Sequence, residues 1–144
     1  MLKGIAMQSR LGFCTVVSCM DGRIQLPVNR YAQERFGVAY VDTITEAGVN
    51  KVIAEQSPQT IVELVLKKLS ISVNAHRSCG IAIVGHHDCA GNPNPREIQI
   101  AHILQAMEFL RQLYPQMEII GLWVNENWQV EELTDAKTDS NPSS

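Results

Sequence analysis

Cys79-Gly80-Ile81-Ala82-Ile83-Val84 runs for six residues without polar alternation. A half-solvated strand alternates polar and apolar side chains, whereas a strand covered on both faces does not. The segment therefore predicts an inner strand of a mostly parallel sheet with helices packed on both sides. Phe13–Ser18 and Val38–Ile44 read as companion strands, the second rich in β-branched and aromatic residues. Glu118 to Val124 reads as a fourth. Trp128 to Leu133 reads as an edge hairpin partner, turned through Asn125-Glu126-Asn127.

Helical patterns fill the intervals. Asn29 to Phe36 reads as a short helix. Ser57-Pro58 offers an N-cap and a first-turn proline for a helix to about Leu69, with Ile61, Leu64, Val65 and Leu69 on one face. Asn94-Pro95-Arg96-Glu97 has the elements of a capping box. The helix it opens carries an apolar stripe of Ile100, Ile103, Leu104, Met107 and Leu110, and Pro115 stops it. Strands alternating with helices predict a single α/β domain, with a mostly parallel sheet of four to five strands flanked by helices. That domain spans residues 1–133, and the polar residues 134–144 read as a disordered tail.

The 144 residues suffice for one substantial core. A formal charge of −3 gives no electrostatic case for nucleic acid or an acidic membrane surface. No apolar run is long enough to span a bilayer. The first 13 residues carry one lysine before Arg10 and no sustained apolar core, a poor signal peptide, so a cytoplasmic location is expected.

Chemistry concentrates in two blocks, Cys19-Met20-Asp21-Gly22-Arg23 and Gly85-His86-His87-Asp88-Cys89. Each follows the end of a predicted strand, which is where open α/β sheets bind ligands. If the first and third strands are neighbours, the blocks meet. Cys19, His86 and Cys89 then offer two thiols and an imidazole, a natural ligand set for Zn2+ with a fourth position open, as catalytic zinc requires. The alternative is a purely structural zinc or three unrelated buried side chains. Asp21 could ligate the metal, accept a hydrogen bond from a zinc-bound water, or cap a turn with Gly22. Arg23 is its natural bidentate partner. Cys14 and Cys79 lie in apolar runs and read as buried, inert thiols. His76-Arg77-Ser78-Cys79 repeats the His-x-x-Cys spacing by coincidence, at the far end of the sheet. His87 reads as a solvated turn residue, His102 as partly exposed, and Trp123 and Trp128 as sheet-packing aromatics.

Cys-x-Asp-x-Arg followed by a strand ending Gly-His-x-x-Cys resembles the β-class carbonic anhydrases. The resemblance runs from about Phe13 to Leu133. It takes in Leu26-Pro27, Ala47-Gly48, and Ile120-Gly121-Leu122-Trp123-Val124 with Trp128-Gln129-Val130. It implies that Cys19, His86 and Cys89 ligate zinc and that Asp21 with Arg23 form the catalytic dyad. It further implies reversible hydration of carbon dioxide to bicarbonate by zinc-bound hydroxide, in a homodimer or higher homo-oligomer. The chain departs from the family pattern at Thr45-Glu46, where the family tends to carry arginine, at His87, at Ala90, and in a short N-terminal segment. Those departures leave two other readings open: a zinc domain serving structure or interaction without turnover, and hydrolysis of another small carbon compound such as carbonyl sulfide.

Overall fold

The computed structural model describes residues 11–134, so residues 135–144 of the expected tail lie outside the described residues. Five strands, β1 (Phe13–Ser18), β2 (Tyr40–Thr45), β3 (Gly80–His86), β4 (Glu118–Val124) and β5 (Val130–Leu133), form one sheet in the order β2-β1-β3-β4-β5. The first four are parallel and β5 returns antiparallel to β4. Four helices connect them: α1 (Gln25–Phe36), α2 (Val49–Glu55), α3 (Gln59–Asn74) and α4 (Arg96–Leu113).

Both faces of β3 are buried, with alternate side chains in two separate cores. Ala82 and Val84 face Ile24, Val28 and Ala32, the last two from α1, together with Cys14 and Val16 of β1. Ile81 and Ile83 face the other way, onto Val49 and Ile53 of α2, Val65 and Leu69 of α3, and Ile103, Met107 and Leu110 of α4. This two-sided burial is why the strand reads as one apolar run.

Several boundaries differ from the sequence reading, for local reasons. Helix α1 starts at Gln25, four residues early, because Pro27 falls in the first turn, where its missing N–H has no intrahelical partner to lose. Helix α2 is a further element. It is seven residues long and enters through Gly48 in the left-handed region (φ 60°), with no side-chain cap to announce it. Pro58 and Pro95, not Ser57 and Asn94, occupy the cap positions of α3 and α4, and neither helix has a side-chain cap hydrogen bond. On α3 the buried stripe is Val62, Val65, Leu69 and Ser72, while Leu64 is exposed. Apolar residues at 61, 62, 64, 65 and 66 fit two helical phases, and packing on the sheet selects one. On α4, Gln99 and Ala106 join the buried face, with Ile100 and Leu104 at its margins. Strand β5 starts at Val130 because Trp128 belongs to the hairpin loop.

Candidate metal centre

Strands β1 and β3 are neighbours, with Val17 paired to Ile83. The two chemical blocks therefore leave the sheet side by side at its carboxyl edge. Cys19 follows the last residue of β1, His86 is the last residue of β3, and Cys89 lies in the turn that follows. Gln25, at the start of α1, fixes the first block by donating from Nε2 to Cys19 O (3.0 Å) and Asp21 O (2.8 Å).

A backbone crossing brings the second block against the first. A Cβ on Gly48 would overlap the Gly91 carbonyl, and one on Gly91 would lie 2.6 Å from Gly48 N, so only glycines allow the approach. The Gly48 and Asp21 N–H groups donate toward Cys19 Sγ, and those of Asn92 and Gly91 toward Cys89 Sγ.

Cys19, His86 and Cys89 are all buried, and their ligand atoms lie within 4.8 Å of one another. The two sulfurs are 3.8 Å apart. A tetrahedral zinc with bonds to sulfur of about 2.3 Å separates two of its sulfurs by about 3.8 Å. His86 Nδ1 donates to the His87 carbonyl at 2.8 Å, which leaves the Nε2 lone pair facing the sulfurs. That Nε2 is buried and has no hydrogen-bond partner. An orphaned buried nitrogen is costly unless something binds it, and a metal ion fits. The Cys89 thiol donates to Cys19, so the Cys19 thiol is held far below its ordinary range while that of Cys89 is pushed up.

Asp21 and Arg23 stand at the rim. Asp21 Oδ2 is 4.0 Å from His86 Nε2. Arg23 holds the carboxylate on both oxygens, Nη2 to Oδ2 at 2.7 Å and Nε to Oδ1 at 3.0 Å, and its own N–H adds a bond to Oδ1 at 2.9 Å. These bonds pull the Asp21 carboxyl down to about 2, leaving an anion that only accepts hydrogen bonds at neutral pH. Arg23 also reaches Asp88, through its carbonyl at 3.1 Å and Oδ2 at 3.3 Å, and so bridges the two blocks.

Trp128 is half-buried against the core on the α1 side of the sheet, as expected, and it also reaches the rim of the site. The Arg23 guanidinium sits 4.4 Å from its ring centroid, and His87 meets it edge-on at 6.1 Å. Trp123 also packs as expected, buried on β4.

Three residues that sequence reasoning passed over support the second block from below. Gln99, fully buried on α4, donates to the carbonyls of His86 (2.8 Å) and Asn92 (3.2 Å) and accepts from His86 N (3.3 Å). Asn50 donates to Gln99 and accepts from Asn92. Buried amides carry no periodic signature in a single sequence; only their placement between two loops reveals them.

The remaining candidates lie elsewhere. Cys14 is buried, and burial pushes its thiol up to about 12. Cys79 is exposed, not buried, because it precedes β3 and does not belong to it. His76 stacks on Phe13, the first residue of β1, and bonds Asp42 at 2.6 Å, far from the metal centre. His87 is exposed and His102 half-buried, as expected.

Comparison with known proteins gives a consistent picture. Residues 9–134 match the model of the family described as "Putative carbonic anhydrase". No curated protein matches the chain. Among solved structures, one of the tetrameric β-carbonic anhydrases of the filamentous ascomycete Sordaria macrospora superposes with a TM-score of 0.60 at 12% identity, over 91% of this chain and 85% of that one. The β-carbonic anhydrase CafD of the filamentous fungus Aspergillus fumigatus gives 0.55 at 14%, over 93% and 96%. At such identities the likeness is one of fold. Among the described residues no helix is long and apolar enough to cross a membrane.

Proposed function

The chain belongs to the carbonic anhydrase family whose model it matches, and from that premise we propose that it is a zinc lyase interconverting carbon dioxide and bicarbonate. The observation that carries this reading is the orphaned His86 Nε2 between two cysteine sulfurs, with the Arg23-held Asp21 carboxylate 4.0 Å away. Cys19 Sγ, His86 Nε2 and Cys89 Sγ would hold the zinc. Bound zinc would supply an acidified water. Two thiolates make the metal a weaker acid, so activity is expected to rise into the alkaline range.

Hydration adds the elements of water across one C=O bond of carbon dioxide and yields bicarbonate and a proton. Asp21 accepts a hydrogen bond from the attacking water, which fixes the direction of the oxygen lone pair toward carbon. Arg23 keeps that carboxylate ionised and in place through three hydrogen bonds. The Gln99 amide and the Gly48–Gly91 crossing hold the two loops in register.

Stopped-flow hydration by zinc-loaded protein tests the reading. Asp21→Asn preserves size and zinc but can no longer act as an acceptor on both oxygens, and kcat is expected to fall by about 100-fold. A fully zinc-loaded parent protein with no turnover between pH 6.5 and 9 would leave a zinc domain without this activity.

A homo-oligomer belongs to the same proposal. The Sordaria proteins are tetrameric by their own description, and Met20 and Leu26, next to the site, are each 65% exposed in the single chain. Light scattering after size exclusion is expected to give a mass of at least two chains of 16.0 kDa; a monomer at micromolar concentration would refute it.

A further inference from the structure

The turn between β4 and β5 carries a residue that its backbone disfavours. Asn125 closes the loop, its carbonyl accepting from Trp128 N (2.9 Å) and its side chain from Asn127 N (2.9 Å) and Gln129 N (3.0 Å). Trp128 occupies the position with positive φ, at 60°. Three-residue hairpin loops normally place glycine there, because a Cβ crowds the following carbonyl. A bulky aromatic in that conformation is an outlier that calls for a compensating contact.

The ring has two such contacts, the core on the α1 side of the sheet and, on the rim of the site, Arg23. Its guanidinium lies 4.4 Å from the centroid of the Trp128 ring, while its edge grips Asp21 and the Asp88 carbonyl. With 46% of its side chain exposed, Arg23 would otherwise exchange these partners for water. A flat ring covers one face of the cation and leaves the in-plane N–H donors free for carboxylates. We propose that Trp128 is a positioning residue, a ring clamp that keeps Arg23, and through it Asp21, fixed at the rim of the metal centre. This assignment rests on the lyase reading for its effect on rate. The clamp itself does not.

Three variants of the full-length, zinc-loaded protein test it: Trp128→Gly, Trp128→Ala and Trp128→Phe. Glycine suits the left-handed backbone, so W128G is expected to melt no lower than W128A and to hold zinc as the parent does. Despite that stability, its kcat is expected to fall about ten-fold with KM little changed, whereas W128F, which keeps a ring face, stays within about three-fold of the parent. The Arg23 Nε–H resonance supplies a second readout. Its ring-current shift is expected to vanish in W128G and its exchange with water to quicken about ten-fold, with W128F close to the parent. Parent-like turnover in W128G overturns the proposal, and so does Arg23 exchange unchanged by the loss of the ring. Should the parent itself fail to hydrate carbon dioxide, the lyase reading falls, and Arg23 exchange alone decides whether the clamp stands.

Discussion

Replacing Cys89 with serine is expected to strip the protein of zinc while leaving it folded. A four-ligand zinc site is worth about 10–16 kcal/mol, so one ligand carries ~2.5–4 kcal/mol, a loss of roughly 70- to 900-fold in affinity. Serine shortens the reach and offers an alcohol, which gives up its proton to a metal far less readily than a thiol does. The loss should be close to complete, because Cys19 and His86 alone give zinc only two protein ligands. The fold should survive because the two cores that clamp the sheet hold its strands and helices together without the metal. Chelator competition reads the affinity, metal analysis the stoichiometry, and circular dichroism the fold. Cys79→Ser is the control. That thiol is exposed and lies before β3, so its removal is expected to leave zinc binding untouched. Full zinc occupancy in the Cys89 variant would remove the metal centre, and with it the proposed chemistry.

The ligands were readable because each sits at the end of a recognisable strand. β1 and β4 have the boundaries expected from their apolar runs, and β3 differs only by starting one residue later and continuing through Gly85 to His86. Adjacency of β1 and β3 was the one assumption, and the sheet order supplies it. Elements without a two-sided apolar signature were harder to read. Helix α2 is too short for periodicity to register, and its left-handed entry at Gly48 looks like any turn. The phase of α3 was ambiguous because five of six successive positions are apolar, so its buried face depends on contacts distant in sequence. The same limit hid Gln99 and Asn50. Their importance comes from buried carbonyls and N–H groups that need partners, and an amide residue looks alike in sequence whether it is solvated or buried. Trp128 does pack against the core as its sequence suggests, but its second role is not legible there. An aromatic beside a strand ordinarily packs on the sheet, and only its positive φ and the cation over its face mark it as part of the site's rim.

Gly48→Ala tests whether the crossing beneath the metal centre is as tight as it looks. The added methyl group meets the Gly91 carbonyl and lies 2.9 Å from Asn92 N, both backbone atoms with no side-chain rotamer to escape through. It also imposes a left-handed backbone on a residue that resists it, a cost of about 1–2 kcal/mol before any clash is counted. Together these effects should destabilise the protein by about 3 kcal/mol, or lower its melting temperature by roughly 10 °C. Relief by local movement is the alternative route, and it is damaging in another way. Gly48 N–H donates toward Cys19, while Gly91 and Asn92 N–H donate toward Cys89. Pushing the two loops apart removes donors from both sulfurs and widens the 3.8 Å gap between them. Outer-sphere losses of this kind typically weaken metal binding 10- to 100-fold. The variant is therefore expected to lose stability and zinc affinity together. Gly22→Ala, where a Cβ meets nothing within 4 Å, should lose neither. Melting curves with and without zinc separate the two losses: a Gly48 variant as stable as the parent, with unchanged zinc affinity, would mean that the crossing does not hold the site.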